Sequence, residues 1–385
     1  MRLETMTSRE RVVKAINHQV TDRMPIDLGM HNSTGISGFA YWNLREYLGY
    51  SNEKTSIADM TQFLAKAEDD ILKRFHCDCI MLQPKWINEK KWNPRGKFQF
   101  NIPVTANPVL QEDGSWTITR GNQTIRMPKD GFFFDGGWPQ FNELEGEEGY
   151  KLFIDEAERI YKETDYFTTF VGYNAYFSCD DMEYQCNMIT DPDKIIEIND
   201  EIHRNQMSSL EQLIKDLGNH VQAVALNSDL GSQRGPLVNP KLYQELCAPY
   251  VKEFCDFIHK NTDWKIFLHA CGSLKPLIPI LIDSGVDILN PVQISAENMD
   301  PFELKKDFGK DITFWGGGCD TQNVLGAGTV DEVKKNVREL TSIFKPNGGF
   351  VFNQVHNIMG NVPPENIVAM LDTAYEESFY DVPNL

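Results

Sequence analysis

The chain reads as an α/β protein, a (β/α)8 TIM barrel with a β-rich insertion after the second strand, and three observations carry that reading. Eight short apolar runs of strand character recur along the 385 residues, most of them separated by segments of helical length and periodicity. The residues at or just past the ends of these runs form a strongly polar set, which is where a barrel keeps its chemistry. Between the second and third runs the pattern gives way to aromatic, Gly, Pro and Thr residues with frequent turn signals. One barrel domain over 1–385 with a β-rich insertion over 86–146 is therefore expected.

Taken in order, Thr7-Ser-Arg-Glu10 has the form of a capping box and opens a helix to about His18. The first strand is Met24-Pro-Ile-Asp-Leu-Gly29. It runs into a loop with His31, Asn32, Ser33 and Thr34, small polar residues suited to the rim of a pocket. Helical patterns over Phe39 to Leu48 and Ile57 to Phe75 lead to the second strand, Cys77 to Leu82. His76, Cys77 and Cys79 lie at the start of that strand, away from the reactive end, so core packing accounts better for the two thiols than metal binding does. In the insertion, Trp116 to Thr119 and Thr124 to Met127 should pair as a hairpin. Phe132, Phe133, Phe134 and Trp138 should cover a pocket, form a subunit interface in a homodimer, or simply pack the insertion onto the body. A helix over Tyr150 to Thr164, a strand over Thr168 to Tyr173, a helix over Pro192 to Leu217, a strand over Gln222 to Leu226 and a helix over Pro240 to His259 follow. Strands at Lys265 to Leu268, Val286 to Leu289, Ile312 to Trp315 and Gly349 to Phe352 complete the eight.

The fifth strand holds the main chemical signal, Ile266-Phe-Leu-His269-Ala-Cys271-Gly272. Alternation puts residues i and i+2 on one side, so His269 and Cys271 address the same spot, and Gly272 lets the backbone turn away. An imidazole and a thiolate suit zinc, which takes four ligands, one of them water or substrate in catalytic sites. Cys319, after Phe314-Trp-Gly-Gly-Gly318, and His356, after the last strand, are the further candidate ligands. The alternative is a buried Cys319 and a His356 that binds substrate. Tyr173, Asn227, Gln233, Asn290, Gln293 and Gln322, with His31 and Asn32 from the first loop, are the candidate substrate contacts. Asp229 is the candidate catalytic acid or substrate hydrogen bond, with a helix N-cap or a structural hydrogen bond as its alternative, and His356 is the other catalytic candidate.

A formal charge of −19 argues against nucleic acid and anionic membrane surfaces as partners, since both would be repelled. The start, Met1-Arg-Leu-Glu-Thr5, lacks an apolar signal region, and no apolar run is long enough to span a bilayer, so a cytoplasmic location is expected. The eight cysteines should then be reduced thiols.

With these residues in view, the sequence resembles the uroporphyrinogen decarboxylase superfamily, and within it the cobalamin-dependent methyltransferase branch. The marks are Asp22-Arg-Met-Pro25, Asp229-Leu-Gly-Ser-Gln233, His269-Ala-Cys271-Gly272, Gly317-Gly-Cys-Asp-Thr-Gln322 and Val362-Pro-Pro-Glu-Asn366. The resemblance implies a (β/α)8 barrel and a zinc site built on a His-x-Cys pair plus a late ligand, often Cys, whose place His356 holds here. It also implies methyl transfer between a small methylated substrate, by similarity a methoxylated aromatic, and a corrinoid on a partner protein. The chain itself shows no Asp-x-His-x-x-Gly cobalamin segment. An aryl ether resists attack because its leaving group is a phenolate, whose conjugate acid has a pKa of about 10. A Lewis acid at the ether oxygen and a nearby proton donor answer that difficulty. Alternatives are methylcobalamin-to-thiol or tetrahydrofolate methyl transfer, a non-catalytic zinc or corrinoid scaffold, and a uroporphyrinogen decarboxylase. The decarboxylase is disfavoured by the absence of arginine from Asp27 to Thr34, because its substrate carries many carboxylates.

Overall fold

Seven parallel strands lie side by side in chain order as one curled sheet in the computed structural model of the protein, which describes residues 3–83, 88–144 and 146–380. They are Cys79–Leu82, Phe167–Asn174, Ala223–Asn227, Lys265–His269, Ile288–Asn290, Thr313–Trp315 and Phe350–Val351. Each coincides with a run expected from the sequence. The remaining run, around Ile26, sits between the two edge strands: Phe352 N donates to Pro25 O, Asp27 N to Phe352 O, and Asp78 N to Ile26 O, at 2.7–2.9 Å. It is held by isolated bridges rather than a continuous ladder.

Alternation along the strands sorts side chains into two cores. Cys79, Phe167, Ala225, Phe267, Ile288, Trp315 and Val351 fill the concave side, whereas Ile266, Leu268, Val224 and Leu226 face the helices. Such packing explains why Cys77 and Cys79 are buried thiols. The first helix, Ser8–Ile16, carries the complete Thr7/Glu10 capping box. Helices Gly38–Tyr47, Gly146–Glu163 and Pro192–Leu217 fall where periodicity puts them. No described helix is long and apolar enough to cross a membrane.

Two expectations about helices are corrected. Ile57 to Phe75 is a short antiparallel pair, Ile57–Asp59 with Leu64–Ala65, and only Asp69–Arg74 is helical. Asp59 turns the chain by accepting from Thr61 N and Gln62 N, and Phe63 adopts a positive φ. The apolar residues that mimic a helical stripe serve instead to bury Ile57, Met60 and Phe63 against Phe39 and Phe100. The stretch Pro240 to His259 is two helices, Pro240–Leu246 and Ala248–Asn261, because Pro249 occupies the first turn of the second.

The expected start of the insertion at Trp86 lies outside the described residues. Within them, Glu89–Trp92 pairs with Phe100–Pro103, and Val109–Leu110, Trp116–Arg120 and Gln123–Met127 make a three-stranded sheet. The expected hairpin closes through Gly121 at φ 57°. These strands bury their own aromatic cluster around Phe39, Trp92, Phe100 and Phe134, separate from the cores of the parallel sheet.

Candidate active site

His269 ends its strand directly beside Asn290, its partner on the next. The Asn290 amide is oriented by its Nδ2, which donates to Trp315 O at 2.9 Å, so its Oδ1 faces His269 Nδ1 at 2.8 Å and also accepts from Ser33 Oγ at 2.7 Å. His269 therefore carries its proton on Nδ1 and leaves the Nε2 lone pair free, the orientation that a hydrogen-bonded amide behind the ring gives a metal-binding histidine. That lone pair looks toward Cys271 Sγ at 3.5 Å and Asp229 Oδ1 at 3.8 Å. Asp229 Oδ1 accepts from Cys271 N at 3.1 Å, which ties the fourth strand's loop to the His-x-Cys turn. Gly272, at φ 90°, makes that turn possible: a Cβ there would lie 2.3 Å from the Gly231 backbone.

His356 completes the cluster from the far side. Donor atoms of His269, Cys271 and His356 all lie within 4.8 Å of one another, the one such group of His, Cys, Asp or Glu among the described residues. The two imidazoles are not alike. His356 Nδ1 accepts from Asn357 N at 2.9 Å, so in the neutral ring the proton sits on Nε2. His356 also stands in the left-handed backbone region at φ 63°, a conformation uncommon for a residue other than glycine.

Burial dominates the electrostatics. It lowers His269, and it lowers His356 to about 4 with the facing His269 ring adding to the effect, so both rings are neutral at pH 7. Burial, then the Asp229 carboxyl, push the Cys271 thiol up. Neutral imidazoles are ready ligands, and a bound divalent cation would itself favour loss of the thiol proton. Two nitrogens and a sulfur fit zinc and leave the fourth position for water or substrate.

Several predicted residues gather around this point. His31 stacks on His269 with ring centroids 5.2 Å apart, its Nε2 lies 2.9 Å from Asn227 Oδ1, and its Nδ1 lies 2.8 Å from Ser33 Oγ. A continuous polar chain thus runs from Asn227 through His31, Ser33 and Asn290 to His269. Asn32 accepts from Asn357 Nδ2 through its carbonyl at 2.8 Å. Gln293 and Gln233 brace the turn: Gln293 Oε1 accepts from Gly272 N, and its Nε2 donates to Gln233 Oε1, both at 2.9 Å.

Three others are elsewhere. Tyr173 points outward, its ring against Phe254 and its hydroxyl 3.2 Å from Ser209 Oγ. The reason is a register shift between Val171 and Tyr173, an irregularity that reverses the alternation. Cys319 does not belong to the donor cluster; it is wholly buried in the apolar layer facing the helices, where its carbonyl accepts from Val355 N at 2.9 Å. Gln322 is exposed in a short π-helical turn, Thr321–Leu325, that Asp320 caps. Ser33 is the site residue that sequence reasoning left as loop, although its i, i+2 relation to His31 was a usable signal. Nothing in the sequence marks Gln62, which accepts from Asn357 Nδ2 at 2.8 Å.

Polar groups and candidate metal ligands collected at the carboxyl edge of a curled parallel sheet mark an enzyme of the barrel-like α/β class. Residues 181–377, more than half of the chain, match the uroporphyrinogen decarboxylase (URO-D) family, and the protein belongs to that family. A solved structure of a methyltransferase from Methanosarcina mazei shares the fold, with a TM-score of 0.58 at 13% identity over 97% of this chain and 99% of that one. An arginase from Helicobacter pylori, 11% identical over 61% of this chain and 82% of its own, reaches a TM-score of only 0.22. No curated protein matches in sequence.

Proposed function

We propose that the protein is a zinc-dependent methyltransferase that moves a methyl group between a small methoxylated aromatic and a corrinoid carried by a partner protein, as an O-demethylase component. The observation that carries this reading is the pairing of a free His269 Nε2 with Cys271 Sγ at 3.5 Å beside a second imidazole. In the same reading the chain is one cytoplasmic barrel domain, closed by the segment around Ile26, with residues 86–146 as its insertion.

His269 and Cys271 would hold the metal, with His356 as third ligand once its ring gives up the bond from Asn357. Bound there, zinc would act as a Lewis acid toward the ether oxygen. His356, in the tautomer described, presents Nε2–H as a hydrogen-bond donor to the departing phenolate. Asp229 holds the Cys271 turn and is the candidate for proton transfer. Asn227, His31 and Asn290 keep His269 oriented.

Purified protein should contain about one zinc per chain and should demethylate methoxyarenes when given a reduced corrinoid protein. Full activity after complete metal removal would sink the proposal. His356→Ala separates the two roles: loss of zinc makes it a ligand, whereas retained zinc with a slower rate makes it the hydrogen-bond donor.

A further inference from the structure

Asn227, His269 and Asn290 end three neighbouring strands and pair directly across them, Asn227 with His269 and His269 with Asn290. Paired neighbours in a sheet stand about 4.8 Å apart and point their side chains to one face. His31 touches both here, stacking on the His269 ring while its Nε2 meets Asn227 Oδ1 at 2.9 Å. The direction of that bond is fixed from behind. Ser33 N donates to His31 Nδ1 at 3.1 Å, and burial keeps the ring neutral, so the imidazole proton sits on Nε2 and Asn227 Oδ1 accepts from it. The Asn227 amide is thereby oriented, because turning it over would set two donors face to face. Its Nδ2 is left over. It has no hydrogen-bond partner among the described residues, and unlike Thr169 Oγ1 and Asn353 Oδ1 it is not sealed from solvent. Asn290 makes the contrast, since both ends of its amide are taken.

We propose that Asn227 Nδ2 is a fixed hydrogen-bond donor to the substrate oxygen that loses the methyl group. The inference rests on the methyl-transfer reading and deepens it by giving Asn227 a catalytic contact that favours oxygen as the atom left behind. When the methyl group passes to the reduced cobalt of the corrinoid, the C–O bond breaks and its electron pair stays on the oxygen, which becomes an anion. Nδ2 keeps both of its protons, and its bond to that oxygen strengthens as the charge grows. A donor already held in place needs no reorganisation when the charge appears, which is the source of its effect on rate. The two ends of one amide thus divide the work: Oδ1 holds His31 against His269, and Nδ2 faces the reaction. A quaternary methylammonium has no lone pair for Nδ2–H to meet, so the same contact disfavours nitrogen as the leaving atom.

Asn227→Asp separates those two ends, because a carboxylate of the same shape still accepts from His31 Nε2 but cannot donate. The purified full-length variant should keep the melting temperature and zinc content of wild type and lose about 10²- to 10³-fold in kcat with little change in KM. Across methoxybenzene and its nitro-, chloro- and methyl-substituted forms, its rate should fall more steeply with the pKa of the phenol released than the wild-type rate does, a dependence that a purely structural residue would not alter. Asn227→Ala, which also takes the acceptor from His31, should weaken zinc binding as well. In isotope-labelled wild type, the Asn227 side-chain amide resonance, assigned by its loss in Asn227→Asp, should move downfield when phenol is added. An unchanged leaving-group dependence in Asn227→Asp, or an amide resonance indifferent to saturating phenol, would overturn the donor while methyl transfer by wild type left the wider reading in place. Zinc lost together with the rate in Asn227→Asp would also overturn it and leave Asn227 as a positioning residue for His269. A shifted resonance without any methyl transfer by wild type would discard the methyl-transfer reading and keep the contact to oxygen.

Discussion

The two ends of the parallel sheet treat polarity in opposite ways. At the amino end, Asp78 is wholly buried and accepts from Arg11 Nη1 at 2.6 Å, Arg23 Nη1 at 2.7 Å, Ser8 Oγ at 2.7 Å and Ile26 N at 2.9 Å. Arg11 also grips both oxygens of Asp22, at 2.7 and 2.9 Å. At the carboxyl end the side chains are mostly neutral, and the chain of hydrogen bonds stops short at His269 Nε2, Cys271 Sγ and His356 Nε2. A network whose charges are matched internally has nothing to offer a ligand. One that ends in a lone pair, an N–H and a thiol is finished only by something bound, which is why the first end reads as stability and the second as chemistry.

Breaking each end should therefore fail differently. Cys271→Ala should abolish zinc content and methyl transfer together while leaving the melting temperature close to wild type, as metal analysis and calorimetry would show. If the variant lost its fold instead, the division between the two ends would be wrong. Arg11→Ala should cost about 3–5 kcal/mol in denaturant unfolding, because it strands buried carboxylates, yet zinc stoichiometry should survive. Asn290→Ala, which frees His269 from its fixed tautomer, should weaken zinc binding roughly 10–100-fold in a chelator competition with little change in stability.

Acid sharpens the contrast further. Burial alone would raise the Asp22 carboxyl, but the Arg11 guanidinium and the N–H groups of Thr5 and Met6 outweigh it and hold Asp22 well below its ordinary value of 3.8. A carboxylate depressed in the folded state stabilises fully above its unfolded value and loses that contribution as pH falls. Wild type should thus lead Asp22→Asn in stability at pH 7, and the gap should narrow as pH drops below about 4. A gap that does not depend on pH would refute the assignment. The smallest effect belongs to Asp320→Ala, which removes a cap and should cost about 1 kcal/mol without altering the rate.

The parallel strands were legible because each is an apolar run bounded by turn residues, and His269 with Cys271 because a strand's period of two needs no tertiary information. Tyr173 was not, since one backbone irregularity after Val171 inverts the side chain and leaves no trace in residue type. Cys319 misled in a related way: a thiol after three glycines looks placed for a metal, but the pairing of Val355 N with its carbonyl sets that stretch so that the side chain joins the apolar layer. Residues 57–75 failed because apolar spacing records what is buried, not the conformation that buries it. The way Asn290 faces His269 depends on Trp315 O and Ser33 Oγ, two atoms supplied by distant parts of the chain.

The segment around Ile26 has a consequence in time. Its hydrogen bonds to Phe352, and the one that Asn353 Nδ2 donates to Asp27 O at a separation of 326 residues, wait for the last strand, whereas its bond from Asp78 N to Ile26 O does not. A contact that long-range is slow to form and leaves strand edges exposed meanwhile. During synthesis at about 5–20 residues per second, everything through Trp315 can be in place while that edge of the sheet is still open. His356 emerges only after that closing strand, so the nascent protein acquires its complete set of donor atoms at the same late moment that the sheet is closed.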